Sequence, residues 1–106
     1  MKQYYVYILT NYNRTVFYTG VTSDLIKRAY EHNNESADGF TKKYHIKQLL
    51  FYEIHYDILE AISREKTIKR WKRAWKWNLI KDVNPNLVNL YDNGNILPLP
   101  LLTTVY

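Results

Sequence analysis

The segment YYVYILTNYNRTVFYTGV, residues 4–21, is where the architecture of the chain begins. Residues 4–10 and 15–21 are dominated by aromatic and β-branched side chains, which suit a pleated, half-buried surface. Between them, Asn11, Tyr12, Asn13 and Arg14 supply two turn-prone asparagines. The segment therefore reads as a β-hairpin. Alternation along the first strand places Tyr5 and Tyr7 on one face. Whether Tyr18 joins them depends on a register that spacing alone leaves open. Gly20 is one of only three glycines. At the end of a strand it marks a bulge, a positive φ, or a place where backbone approaches a ligand closely.

Outward from the hairpin, Ser23 and Asp24 offer an N-cap and a first-turn negative charge for a helix through LIKRAYEHN, residues 25–33. Leu25, Ala29 and His32 share one face of it, and Arg28 lies one turn before His32. NESADGF (34–40) breaks this helix, and the basic run TKKYHIK (41–47) leads into a third strand, QLLFYEI (48–54). Asp57 opens a long helical pattern reaching Lys81, with a break near Trp71 to Trp75 where the apolar register drifts, and Pro85 closes it. The order β-β-α-β-α-α predicts a mixed α/β (α+β) domain, a small three-stranded sheet with flanking helices. Residues 1–90 form the domain, and residues 91–106 an apolar C-terminal tail. Pro98 and Pro100 interrupt that tail, which is too short to span a bilayer. It covers a core edge or meets a protein partner, a second copy of the chain included.

A chain of 106 residues suits one compact domain. Eleven tyrosines and three tryptophans exceed what so small a core can bury, so several belong to a surface or cleft. The net charge of +5 favours polyanions, nucleic acid first, although a modest excess also serves solubility. With no cysteine, disulfides and thiolate metal sites are excluded. The N-terminus shows no uninterrupted apolar h-region, so the expectation is a cytoplasmic location with no membrane association.

Three positions carry chemistry. Glu65 falls within an apolar stripe formed by Ile58, Ala61, Ile62, Ile68, Trp75 and Leu79. An inward carboxylate needs a cation: either a neighbouring basic side chain, or a hard divalent ion of the Mg²⁺ kind, which takes only one or two protein carboxylates. Arg28 pairs with Glu31 or Asp24, or it stabilises a phosphorane-like transition state through a bidentate contact. His32 is solvated, or it relays a proton near neutral pH.

Taken together, these features resemble the GIY-YIG nuclease family. YVY at Tyr5 to Tyr7 stands where that family has G-I-Y, and YTG at Tyr18 to Gly20 where it has Y-I-G. DLIKRAYEH with Arg28 and His32 follows, then EAISREKTIKRW with Glu65. The resemblance spans about residues 3 to 90 and is closest to small single-domain members, similar to the nuclease module of the bacterial excision-repair nicking subunit. It implies a metal-dependent endonuclease acting on DNA, structure-selective and linked to repair or recombination, with one Mg²⁺ or Mn²⁺. By position, Tyr7 and Tyr18 are the motif tyrosines, one of which orients or deprotonates the attacking water. Arg28 stabilises the phosphate, His32 assists, and Glu65 holds the metal. Tyr5 and Thr19 depart from the family's glycine and isoleucine, both at strand positions. Asn84 is the candidate for a late family asparagine.

Substrate contacts are expected from Gly20, from Lys42 and Lys43, and from the run REKTIKRWKRAWKWNLIK (64–81), in which Lys69, Arg70, Lys72 and Arg73 interleave with tryptophans. Basic side chains meet phosphates there, and an exposed tryptophan stacks on an unpaired base. His45 and His55 have no metal-type spacing and read as structural. The rival reading is a non-catalytic nucleic-acid-binding module.

Overall fold

The computed structural model describes residues 2–35 and 39–100. Its centre is a three-stranded antiparallel sheet in the order β2-β1-β3. The strands are β1 (Tyr4–Thr10), β2 (Phe17–Thr22) and β3 (Gln48–His55). The first hairpin forms as expected, with β2 starting later than Thr15. Asn11 is the reason: its carboxamide oxygen accepts from the backbone N–H groups of Thr15 and Val16, which holds both residues in the turn.

Alternation along β1 divides the core. Val6 and Ile8 face one side, where they pack with Leu50, Phe51, Ala61, Ile68 and Ile80. Tyr7 and Leu9 face the other, with Leu25, Ile46, Leu49, Leu90 and Leu99. The register between β1 and β3 slips between Ile8 and Leu9, so Ile8 opposes Phe51 while Leu9 opposes Leu49. Leu50 is the extra residue of a β-bulge. The bulge lets consecutive residues Leu50 and Phe51 enter the same core. Asn84 completes the accounting: its amide nitrogen donates to the bulged Leu50 carbonyl at 3.0 Å.

Helix α1 (Leu25–Asn33) is capped by Asp24, whose carboxylate accepts from the Lys27 N–H. A short helix, α2 (Gly39–Lys43), occupies part of the basic run that leads into β3, an element the sequence reading did not include, and buried Thr41 and Ile46 hold it down. Asp57 caps α3 (Ile58–Arg70). The chain is extended at Trp71 and Lys72 before α4 (Arg73–Val83). An unbroken helix would rotate Ile80 about 120° away from Ile68; the break returns both to one core. The predicted apolar stripe is buried only in part. Ala61 and Ile68 are buried, whereas Ile58 and Trp75 lie on the surface at 47% and 54% exposure.

Helix α3 lies across β1 and β2. A two-residue turn at Asn93–Gly94, both at positive φ, closes a small hairpin of β4 (Tyr91–Asp92) and β5 (Asn95–Ile96). Beyond it Leu99 is buried beside Tyr7 and Leu49. Residues 101–106 lie outside the described residues, as do 36–38. Among the described residues no helix is long and apolar enough to cross a membrane.

Candidate active site

Register decides which tyrosines meet. Tyr7 lies opposite Gly20, Tyr5 opposite Thr22 and Leu9 opposite Tyr18. Directly paired residues share a face, so Tyr5, Tyr7 and Tyr18 project together on the side where α1 packs. The α1 face that carries Leu25, Ala29 and His32 is buried against them. The rings of Tyr7, Tyr18 and His32 form a triangle. Centroid separations are 6.3 Å between the tyrosines, 6.0 Å from Tyr7 to His32 and 5.2 Å from Tyr18 to His32. The Tyr7 hydroxyl stands 3.4 Å from His32 Nε2, and the tautomer of the imidazole decides which of the two donates.

Gly20 owes its identity to this triangle. A Cβ built there would fall 2.5 Å from both Cζ and Oη of Tyr7. The strand pairs without interruption through Gly20, and its φ is not positive. The close approach is thus to a phenol ring of the same chain, and the bulge and positive-φ readings are set aside.

Arg28 reaches the same phenol from α1. Burial alone would lower its pKa; hydrogen bonding and charge interaction with Tyr7, then with Glu31, outweigh this and leave it raised. The guanidinium stays cationic and is held 3.1 Å from Glu31 on its other side. Exposure separates the roles within the cluster: Tyr7 and His32 are each 1% exposed, whereas Tyr18 and Arg28 are half-buried and keep access to solvent.

Glu65 is not brought into this cluster. It projects from α3, on the other face of the sheet, in line with Ala61 and Ile68, and pairs with Lys69 at 2.6 Å. Its side chain is 12% exposed, while that of Lys69 is 53% exposed. Among the described residues no three His, Cys, Asp or Glu side chains gather as a metal cage. Among the described residues this shielded carboxylate is ion-paired with a flexible ammonium, and a lone carboxylate of this kind is the ligation an ion that keeps most of its water shell, as Mg²⁺ does, can use. Glu65 is the residue that could hold one divalent cation of that kind, in place of its pairing with Lys69.

The basic residues form two groups. Lys42 and Lys43 are exposed on α2. Lys69, Arg70, Lys72 and Arg73 are exposed at the junction of α3 and α4. Arg73 is the most fixed: its guanidinium stacks 4.9 Å from the Phe17 ring centroid and donates to the Arg14 carbonyl at 2.9 Å. Phe17 neighbours Tyr18 on β2, so the second group flanks the start of that strand. Burial, with the charge of Arg73, lowers the pKa of Lys76.

Asn84 is fully buried and accepts from the Val88 N–H while donating to the carbonyls of Leu50 and Val88. Its amide is committed to the fold. His45 pairs with Glu35 and His55 with Glu53, in keeping with structural roles. Two residues beside the site escaped sequence reading, Phe40 and Tyr44. The Tyr18 and Phe40 centroids are 6.5 Å apart, and those of Phe40 and Tyr44 5.0 Å. The available signal was an aromatic pair at helical spacing, interleaved with two lysines.

The family model of the GIY-YIG catalytic domain matches residues 3–78. A UPF0213 protein of Staphylococcus saprophyticus is 34% identical over 82 residues, spanning 77% of this chain and 99% of the relative. Another, from Syntrophus aciditrophicus, is 37% identical over 86 residues, spanning 80% and 97%. The solution NMR structure of a UPF0213 protein from Bacillus halodurans shares the fold, with a TM-score of 0.54 and 24% identity over 88% of this chain and 98% of that one.

Proposed function

The chain belongs to the GIY-YIG family, and from that premise we propose that it is a divalent-metal-dependent endonuclease that hydrolyses phosphodiester bonds in DNA. The observation that carries this reading is the convergence of Tyr7, Tyr18, His32 and Arg28 on one face beside Gly20. Tyr18, with an open side, meets the attacking water and directs it in line with the leaving 3′ oxygen. The water's proton passes into the phenol–imidazole cluster, where His32 Nε2 lies 3.4 Å from the Tyr7 hydroxyl and is the imidazole base at hand. Arg28 offsets the negative charge that builds on the phosphate. Tyr7, buried between Arg28 and His32, sets the position of both.

Glu65 would hold the Mg²⁺ or Mn²⁺ ion, which when bound neutralises charge on the phosphate and on the leaving oxygen. Because β2 is the outer strand of the sheet on that side, a phosphate lying along its edge can meet side chains from both faces. Gly20 supports the tyrosine face there, while Lys42, Lys43, Lys69, Arg70, Lys72 and Arg73 draw the flanking backbone in. Residues 1–90 carry the activity in this reading, and the segment after them closes the core beneath Tyr7. Structure-selectivity and a role in repair or recombination extend the same proposal.

The test is incubation of the purified protein with nicked, flapped and branched DNA in Mg²⁺ or Mn²⁺, beside Glu65→Ala and Tyr18→Phe variants. Cleavage by the parent, with losses of about 10²-fold or more in the variants, is expected. No cut on any substrate, or equal cutting by all three proteins, overturns the proposal. The Lys69–Glu65 ion pair favours a second reading, a nucleic-acid-binding module in which that carboxylate is structural. It predicts salt-sensitive binding without cleavage.

A further inference from the structure

Away from the tyrosine triangle, the turn between β1 and β2 meets α4. The Asn11 carbonyl accepts from the Arg14 N–H at 3.0 Å, and Arg14 is held there at a φ of 57°. Arg14 lines a cleft of about 300 Å³ together with Ala74, Trp77, Asn78 and Lys81 of α4 and with Leu87. Aromatic rings carry the cations around it. Phe17 packs edge-on against Trp77, with centroids 4.8 Å apart. Arg73 lies over Phe17, and Lys81 Nζ stands 5.8 Å from the Trp77 centroid. Through its bond to the Arg14 carbonyl, Arg73 also ties α4 to the turn. What the cleft lacks is an acid. Among the described residues no Asp or Glu lines it, and no ion pair engages Arg14, Arg73, Lys76 or Lys81. Asp82 follows Lys81 in sequence but lines a different hollow, with Trp71 and Trp75. Cations held by π-faces, with no carboxylate between them, repel one another and keep donors for an oxyanion.

We infer that this cleft seats a backbone phosphate of DNA, met by Arg14 and Lys81 with the Asn78 amide as a neutral donor. That the phosphate belongs to the strand being cut rests on the nuclease reading; the anion site itself does not. Phe17 and Tyr18 are successive residues of β2 and so point to opposite faces of the sheet. The cleft and Tyr18 therefore lie back to back across an outer strand. DNA held at both leaves Tyr18 toward the β1–β2 turn and crosses the edge of β2, which sets the direction in which the flanking arm runs. The contact is to the backbone, so it positions the substrate without reading its sequence.

The test uses the full chain in chelator, so that binding is read apart from cleavage. The probes are a short DNA duplex and inorganic phosphate. In two-dimensional NMR of the isotope-labelled protein, the duplex is expected to shift the Trp77 indole N–H and the Arg14 amide more than the indole of Trp75, which lines the other hollow. Inorganic phosphate at an equal concentration of phosphate groups should move them far less. Arg14→Gln and Lys81→Gln keep a long polar side chain without its charge. Combined, they should lower the slope of log K against log salt for the duplex by about 0.9, the value of one phosphate contact. Arg14→Lys should hold the parent slope. Lys2→Gln, which removes a charge beyond the opposite end of β1, should hold it too.

A Trp77 signal that moves no more than that of Trp75 overturns the site, as does a slope that falls equally in Lys2→Gln. Equal shifts with inorganic phosphate assign the cleft to a free anion and overturn the DNA contact. If Arg14→Gln loosens the turn and lowers the urea midpoint, Lys81→Gln alone decides. A protein that passes these tests but never cuts keeps the cleft and loses the nuclease reading; one that cuts with an unchanged KM in both glutamine variants does the reverse.

Discussion

A methyl group is enough to test how tightly the site is assembled. In a Gly20→Ala variant the new carbon meets the Tyr7 ring at 2.5 Å, so the ring or the strand must move. Overpacking of this kind costs about 1–3 kcal/mol. Urea unfolding is expected to show that loss, and adding Tyr7→Leu to the variant should leave less than the sum of the two single effects, since the contacts are shared. Alternation in β1 was enough to put Tyr5 and Tyr7 on one face, and helical spacing enough to put Arg28 near His32. The reason for Gly20 was not readable, because it depends on a partner across the hairpin and on the orientation of that partner's ring. Nor did spacing show that α3 presents Glu65 on the opposite face from Tyr7: the stripe located the carboxylate but not the layer.

At the level of elements, Asn84 joins three pieces of structure. It ends α4, captures the carbonyl of the bulged residue in β3 and fastens the turn at Val88. An Asn84→Ala variant leaves a buried carbonyl at Leu50 and the Val88 groups without these partners. Each buried unsatisfied group costs about 1–3 kcal/mol, so a total loss of roughly 2–4 kcal/mol is expected in the urea-extrapolated stability. Asn84→Asp, which sets a buried carboxylate oxygen against the same two carbonyl oxygens, should lose at least as much. The hairpin, α1 and the cap at Asp57 were legible because each rests on local chemistry: β-branched runs, a carboxylate at an N-terminus, turn asparagines. The β3 bulge was not, since a run such as QLLFYEI looks the same with or without a slip in pairing. The β4–β5 hairpin carried its signal in Asn93–Gly94, but strands of two residues leave no alternation to accompany it.

Across the whole molecule, the C-terminal segment is tied to the sheet by one phenol. The Tyr52 hydroxyl donates to the Leu97 carbonyl at 2.9 Å. Burial, then the neighbouring Tyr5, raises its pKa above the ordinary 10.0, against a lowering by a backbone hydrogen bond from Leu99. A group raised on folding contributes stability in full below its unfolded pKa, and that contribution is lost as pH rises through the folded value. The stability difference between the parent and Tyr52→Phe is therefore expected to be constant up to about pH 10 and to shrink above it; a difference that grows there contradicts this account. Charge acts on the same scale. With a net +5 and Arg73 stacked on Phe17 at the start of Tyr18's strand, binding of single-stranded DNA should weaken steeply with salt. Removing Lys42 and Lys43 together should lower the slope of log K against log salt by about 1.4, at roughly 0.7 per phosphate contact.

The family match ends at residue 78, yet Ile80, Leu90 and Leu99 beyond it are buried in the two cores. Anyone transplanting the tyrosine cluster into another scaffold would find that homology and self-sufficiency have different borders. A piece trimmed to the shared boundary would leave Tyr7 and Leu9 with part of their hydrophobic lining stripped away, and the portable unit is the longer one, reaching at least to Leu99.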